Sequence, residues 1–147
     1  MPDPETMTEL VETYRGTIYP WQCDHMGHMN VMWYVGKFDE ATWNLAAMVG
    51  ITPSYIRDSG CGAAAVQQNI TYKRELQAGD TVVVRSRVVE VREKVLRFLH
   101  VMENAETGIE AAVCEITGVH IDRQLRKAVP FPPAIAAGLR ALVLEPA

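Results

Sequence analysis

Gln22-Cys23-Asp24-His25-Met26-Gly27-His28-Met29-Asn30-Val31 is the stretch on which the reading of this chain turns. Upstream of it, Thr13 to Trp21 alternates loosely and ends at Pro20-Trp21, the pattern of a first strand. Downstream, Val31 to Val49 runs without an interior proline, and Val31, Tyr34, Val35, Phe38, Leu45, Met48 and Val49 recur at helical spacing. Met32, Trp33, Trp43 and Ala47 put apolar groups on the other sides as well, so a helix buried nearly all round is expected. The motif therefore crowds an acid, two histidines, a glycine and an asparagine just ahead of a helix N-terminus. Unpaired backbone N–H groups and the positive end of the helix dipole favour negative charge there. A carboxylate beside such donors is a candidate base or nucleophile facing an oxyanion site.

Beyond the helix the pattern changes. Gly50 can close the helix, and Thr52-Pro53 reads as an N-cap and first helical position for a short second helix ending near Gly60. Gly62 to Glu75, Thr81 to Arg92, Val95 to Glu103 and Ile109 to Asp122 are rich in Val, Ile and Thr and read as strands. Gln77-Ala78-Gly79-Asp80 and Asn104-Ala105-Glu106-Thr107-Gly108 supply turn residues between them. Leu96, Phe98, His100 and Met102 share one strand face, with Arg97 opposite; Ala112, Cys114, Ile116 and Gly118 form a face of small groups. Pro130, Pro132 and Pro133 lead into a short C-terminal helix. The order is one strand, one long helix, then a consecutive run of strands, with no repeat or linker. It predicts a single α+β domain over residues 1–147, its sheet wrapped round the long helix.

Composition sets the outer bounds. A chain of 147 residues can bury a core without staples. Its net charge of −4 argues against a nucleic-acid partner, which a basic face would favour. No apolar run reaches the roughly 18 residues of a membrane span. Met1 to Glu9 is acidic and lacks the pattern of a leader, and Cys23, Cys61 and Cys114 are odd in number and scattered. The expectation is a cytoplasmic protein without a disulfide framework.

The order of elements, with Asp24-His25-Met26-Gly27-His28-Met29-Asn30 before the helix, resembles the hotdog-fold acyl-CoA thioesterases, and most of all their 4-hydroxybenzoyl-CoA thioesterase-like branch. Members carry an Asp-x-x-Gly-His-x-Asn pattern here, and this sequence matches it in full. The likeness continues through Phe38-Asp39-Glu40-Ala41, Ile70-Thr71-Tyr72-Lys73-Arg74-Glu75-Leu76 and Ala78-Gly79-Asp80. It departs at Val31, where many relatives have a second Asn, and at Trp33 and Gly36. The resemblance implies hydrolysis of an acyl-CoA thioester to a free acid and CoA, with no cofactor. It also implies a homodimer or homotetramer with its site between subunits. Other readings of such a chain are a non-catalytic acyl-thioester-binding protein and a hotdog hydratase or dehydratase, though the Asp-x-x-x-x-His loop usual in the latter is missing.

By that resemblance Asp24 is the catalytic carboxylate, with His28 and Asn30 beside it. On position alone, Asp24 can equally cap the helix or an Asx-turn, and Asn30 is well placed to be the cap itself. Backbone amides near Asn30 and Val31 are candidate oxyanion donors. Substrate contacts fall on Val31, Tyr34 and Asp39, and on Tyr72, Lys73 and Arg74, whose cations suit the phosphates of coenzyme A. Asp39 and Glu40 lie in an otherwise apolar helix, where a buried carboxylate needs a use. Arg85 and Arg87 are further basic candidates. Cys23, His25 and His28 are zinc-compatible residue types, but the helical His-Glu-x-x-His spacing is missing, so no metal is expected. His100 and His120 sit among apolar strand neighbours and read as core histidines.

Overall fold

A computed structural model describes residues 10–143. The acidic stretch from Met1 to Glu9 lies outside the described residues. Strand β1 spans Val11–Thr17 and a 3-10 turn follows at Pro20–Gln22, so the first strand stops short of Trp21. Proline cannot donate to a sheet ladder, and here it opens the turn instead. Helix α1 is Val31–Met48, and α2, Pro53–Ser59, starts at Thr52 and stops at Gly60 as its sequence predicts. The Thr52 hydroxyl accepts the Tyr55 N–H, and Gly60 takes the left-handed conformation at φ 72°. Strands β2 (Cys61–Tyr72), β3 (Thr81–Val91), β4 (Val95–Asn104) and β5 (Glu110–Asp122) follow, then β6 (Lys127–Ala128) and helix α3 (Pro133–Ala141).

The strands form one antiparallel sheet in the order β1-β3-β4-β5-β2, with β6 on β5. This is the α+β hotdog arrangement that the resemblance implies. Strand β2 lies at one edge and β1 at the other. Pairing of β1 with β3 slips between Glu12 and Tyr14, a bulge that leaves Thr13 unpaired in the register and buried.

Two compact units divide the described residues. The first comprises 10–44, Ile70–Ser86 and His100–Cys114. Its interior holds Ile18, Met29, Phe38, Ala41, Leu76, Val82, Val84 and Met102. The second comprises Leu45–Asn69, Arg87–Leu99 and 115–143, and buries Val49, Val88, Phe98, Phe131, Ile135 and Leu139. There, His120 bonds the Tyr55 hydroxyl at 2.8 Å and the Val129 carbonyl at 3.0 Å, so this core histidine is satisfied.

Helix α1 corrects one expectation. Tyr34, Lys37, Phe38, Ala41 and Leu45 are buried along one stripe, while Val31, Met32, Val35, Trp43 and Met48 are exposed. Asp39 and Glu40 share the exposed side. The cost of burying a carboxylate therefore gives neither of them a reason to be functional. An apolar sequence all round misled because the outer face of this helix stays open in the chain.

Candidate active site

The loop between the 3-10 turn and α1 is a small closed hairpin. The Asp24 N–H donates to the His28 carbonyl at 3.1 Å, Gly27 N–H returns to the Asp24 carbonyl at 3.0 Å, and Cys23 and Met29 form an antiparallel bridge. Gly27 sits at φ 84°, which only glycine adopts cheaply, so its place in the motif has a backbone cause. The hairpin is tied down at both ends: Met29 N–H donates to the Leu76 carbonyl at 2.7 Å, and Asn30 N–H to the Gln22 carbonyl at 2.9 Å.

Asn30 does two things at once. Its Oδ1 accepts the Met32 N–H at 3.0 Å and caps α1. Its Nδ2 donates to Asp24 Oδ2 at 2.9 Å, while the Met26 N–H holds Oδ1 at 2.8 Å. The Asn30 bond, then the Met26 amide, keep the Asp24 carboxyl below the ordinary aspartate range; His28 and His25 add a smaller pull. Asp24 therefore forms an Asx-type turn and is also held ionised. Its amide donors take one position on each oxygen, and a carboxylate has roughly four lone-pair sites.

The first-turn amides are used unequally. Asn30 N–H, one expected oxyanion donor, is spent on Gln22. Met32 N–H goes to the cap and Trp33 N–H to the Asn30 carbonyl at 3.0 Å. Among the described residues the Val31 N–H has no backbone or side-chain acceptor, which leaves it as the open donor at the positive end of α1.

Two shallow grooves adjoin this loop. Asp24 and Asn30 line one, of about 620 Å³, together with Trp21, His25, Met32 and Trp33. His28, Val31, Tyr34, Tyr72, Lys73 and Arg74 line the other, of about 350 Å³. The expected substrate contacts thus come together in one groove, apart from Asp39, which lines neither. Tyr34 and Tyr72 meet edge to face with centroids 5.0 Å apart, and burial pushes the Tyr34 phenol pKa up. Lys73 is paired with Glu110, whereas the Arg74 guanidinium has no ion-pair partner among the described residues. His28 Nε2 lies 3.8 Å from Glu75 Oε1. Arg85 is bound to Glu103, so that basic candidate is spent within the sheet. Among the described residues no group of three or more His, Cys, Asp or Glu side chains is placed to hold a metal, and no helix is long and apolar enough to cross a membrane.

The sequence reading did not single out Trp21 as a site residue. An aromatic side chain directly before the motif was its only signal. Trp21 is 67% exposed and stacks on Tyr19, with centroids 4.5 Å apart and planes 4° from parallel.

The model of the thioesterase-like superfamily matches residues 18–139, most of the chain and all of this site. The chain belongs to the thioesterase-like superfamily. An L-carnitine dehydrogenase/betainyl-CoA thioesterase of Agrobacterium fabrum is 31% identical over 79% of this thioesterase-like chain, which spans only 24% of that longer protein. A betainyl-CoA thioesterase of Pseudomonas aeruginosa is 24% identical over 92% of the chain and 86% of its own length. Among solved structures, a Staphylococcus aureus protein in complex with CoA superposes with a TM-score of 0.85 at 17% identity, covering 94% of this chain and 89% of that one. That likeness carries the fold, and the relatives' names support a thioester hydrolase.

Proposed function

We propose that this protein hydrolyses an acyl-CoA thioester to the free acid and CoA, with Asp24 as the reacting carboxylate. The observation that carries this reading is the ionised Asp24, held by Asn30 and the Met26 amide at the mouth of α1, where the Val31 N–H is open. Thioester cleavage needs a nucleophile or base and a stabiliser for the carbonyl oxygen as it gains charge. Asp24 supplies the first, either attacking the carbonyl carbon or taking a proton from water that does so. The Val31 N–H supplies the second, and one such donor is worth about 3 kcal/mol in the transition state. Water ends on the acyl carbon and the thiolate leaves as CoA.

The groove of His28, Tyr34, Tyr72 and Arg74 is the one that suits the CoA arm, with Arg74 its open cation for a phosphate. Betainyl-CoA, the substrate in the names of both curated relatives, is the acyl-CoA to offer first. The edge of β2, unpaired among the described residues, and the exposed face of α1 support a homodimer or homotetramer whose site is completed by a neighbouring subunit.

The test is release of free thiol from betainyl-CoA and a set of short, long and aromatic acyl-CoA thioesters. Turnover that Asp24→Asn removes is expected. Tight acyl-CoA binding with no release from any member would instead make the protein a binder. A single turnover in ¹⁸O-water that leaves label in the Asp24 carboxylate identifies Asp24 as the nucleophile, its anhydride with the acyl group having been opened by water at the aspartyl carbonyl.

A further inference from the structure

The Asp24 groove is lined by rings as well as by the reacting carboxylate. Trp21 contributes from one end of the motif, and Trp33 from the first turn of α1, three residues past the cap. Core packing does not explain Trp21, which is mostly exposed. Its stack on Tyr19 covers one face of the indole, fixes the ring, and leaves the other face uncovered by Tyr19. Met32, 64% exposed, adds a polarisable thioether between the rings in sequence. Among the described residues no lysine or arginine lines this groove, in contrast to the neighbouring one with Lys73 and Arg74.

Such a lining is poor for a plain hydrocarbon chain, which gains most from an enclosed apolar pocket without a charged wall. It is suited to a cation. Indole faces attract positive charge through the ring quadrupole, and an ionised carboxylate in the same groove adds to the attraction. A quaternary ammonium fits this lining better than a primary amine, because it has no N–H and needs no hydrogen-bond acceptor, only ring faces and opposite charge.

We propose that Trp21, steadied by Tyr19, and Trp33 form the surface that selects an acyl group bearing a quaternary ammonium next to the thioester carbonyl. The proposal rests on the thioesterase reading of Asp24 and adds the residues that choose the substrate. In a trimethylammonio-acetyl thioester the cation is one carbon removed from the carbonyl. Whatever holds the cation must therefore stand beside whatever attacks the carbonyl. A groove shared by Asp24, Trp21 and Trp33 meets that requirement. The fixed charge also withdraws electrons from the carbonyl carbon and eases attack on it.

The experiment compares betainyl-CoA with 3,3-dimethylbutanoyl-CoA, in which a tert-butyl group replaces the trimethylammonium in the same shape without charge. For each, kcat/KM is divided by the protein-free rate with hydroxide, so that intrinsic reactivity cancels. The wild type is expected to prefer the cation after this correction. Trp21→Leu and Trp33→Leu should each lower that preference roughly 3- to 30-fold, and Trp21→Phe should restore most of it. Hydrolysis of neither substrate, nor of any other acyl-CoA, would defeat the thioesterase reading itself. Equal corrected rates for the two substrates, or a Trp21→Leu variant that slows both alike, would overturn the ring proposal and leave the thioesterase reading standing. A Trp21→Leu variant that changes the molecular mass in light scattering but keeps the preference would assign the rings to a subunit contact and also overturn it.

Discussion

Asp24 with Asn30, and Ser86 with His100, are two polar constellations of one unit, and their residue types alone would make the second the better nucleophile–base pair. Ser86 Oγ is hydrogen-bonded to His100 Nδ1, and His100 Nε2 meets Thr42 Oγ1 at 2.9 Å. The Thr42 hydroxyl donates to the Phe38 carbonyl at 3.0 Å, so it accepts from His100, and Nε2 carries the imidazole proton. Ser86 then donates to Nδ1, and its Oγ also lies 2.8 Å from the Thr13 Oγ1. Every member of this chain is buried or half-buried, His100 is stacked on Phe38, and burial alone pushes its pKa down to about 3. None of these groups lines either groove by the loop. Asp24 has the opposite setting: an open groove, a charged carboxylate, and a cap amide that aims it. Catalysis needs a group that can reach a substrate, so access separates the constellations more sharply than residue type does.

The largest effect that tests this contrast is on rate. Asp24→Asn should lower kcat by roughly 10²- to 10⁴-fold with little change in urea midpoint, since the amide keeps an oxygen for the Met26 N–H. Ser86→Ala should do the reverse. It strands the His100 Nδ1 acceptor in a dry interior and should cost about 1–3 kcal/mol in urea denaturation, with kcat per folded molecule unchanged. A Ser86→Ala enzyme that stays folded but loses most of its turnover would break the contrast outright.

The two sites also answer acid differently. An unfolded chain protonates His100 near its ordinary 6.5, whereas the fold resists until about 3. The His100 contribution to stability is therefore whole above pH 6.5 and drains as pH falls toward 3, by at most about 1.4 kcal/mol per pH unit. Between pH 7 and 5, where carboxylates hardly titrate, His100→Gln should flatten the stability curve of the wild type. Asp24 is held below the ordinary 3.8, so ionisation of this proposed reacting carboxylate should not limit activity at any pH where the fold survives. An acid limb of kcat near pH 6 in His100→Gln would break that expectation.

Much of this was legible in residue order. Periodicity and turn residues placed four long strands and α2 to within a few positions, because their glycines, prolines and Thr52 act locally. The reach of β1 and the burial of α1 were not legible. The Pro20–Gln22 turn and the open outer face depend on what packs against each segment, which a single stretch does not record. At the site, Asp24, Asn30 and the Tyr72–Arg74 group follow from the motif and the resemblance. Asp39 does not reach a groove, and Trp21 had no pattern to announce it, since an exposed ring acquires meaning only once a carboxylate is found beside it. The bulge that turns Thr13 toward Ser86, with its carbonyl held by Asn44 Nδ2 at 2.6 Å, is likewise a product of pairing between distant segments.

The smallest expected effect is also the finest probe, because Asn30 joins fold and chemistry in one side chain. Asn30→Ser keeps a hydroxyl able to accept the Met32 N–H but is too short to donate to Asp24, whereas Asn30→Ala loses both bonds. Stability should therefore fall by about 1 kcal/mol in Asn30→Ala and hardly at all in Asn30→Ser. Rate should fall in both, since each removes the Asn30 donor that orients the Asp24 carboxylate. Urea midpoints and kcat, measured side by side, separate the cap from the tether. If Asn30→Ser keeps full turnover, the Met26 amide alone orients Asp24, and the Asn30 contact serves the helix only.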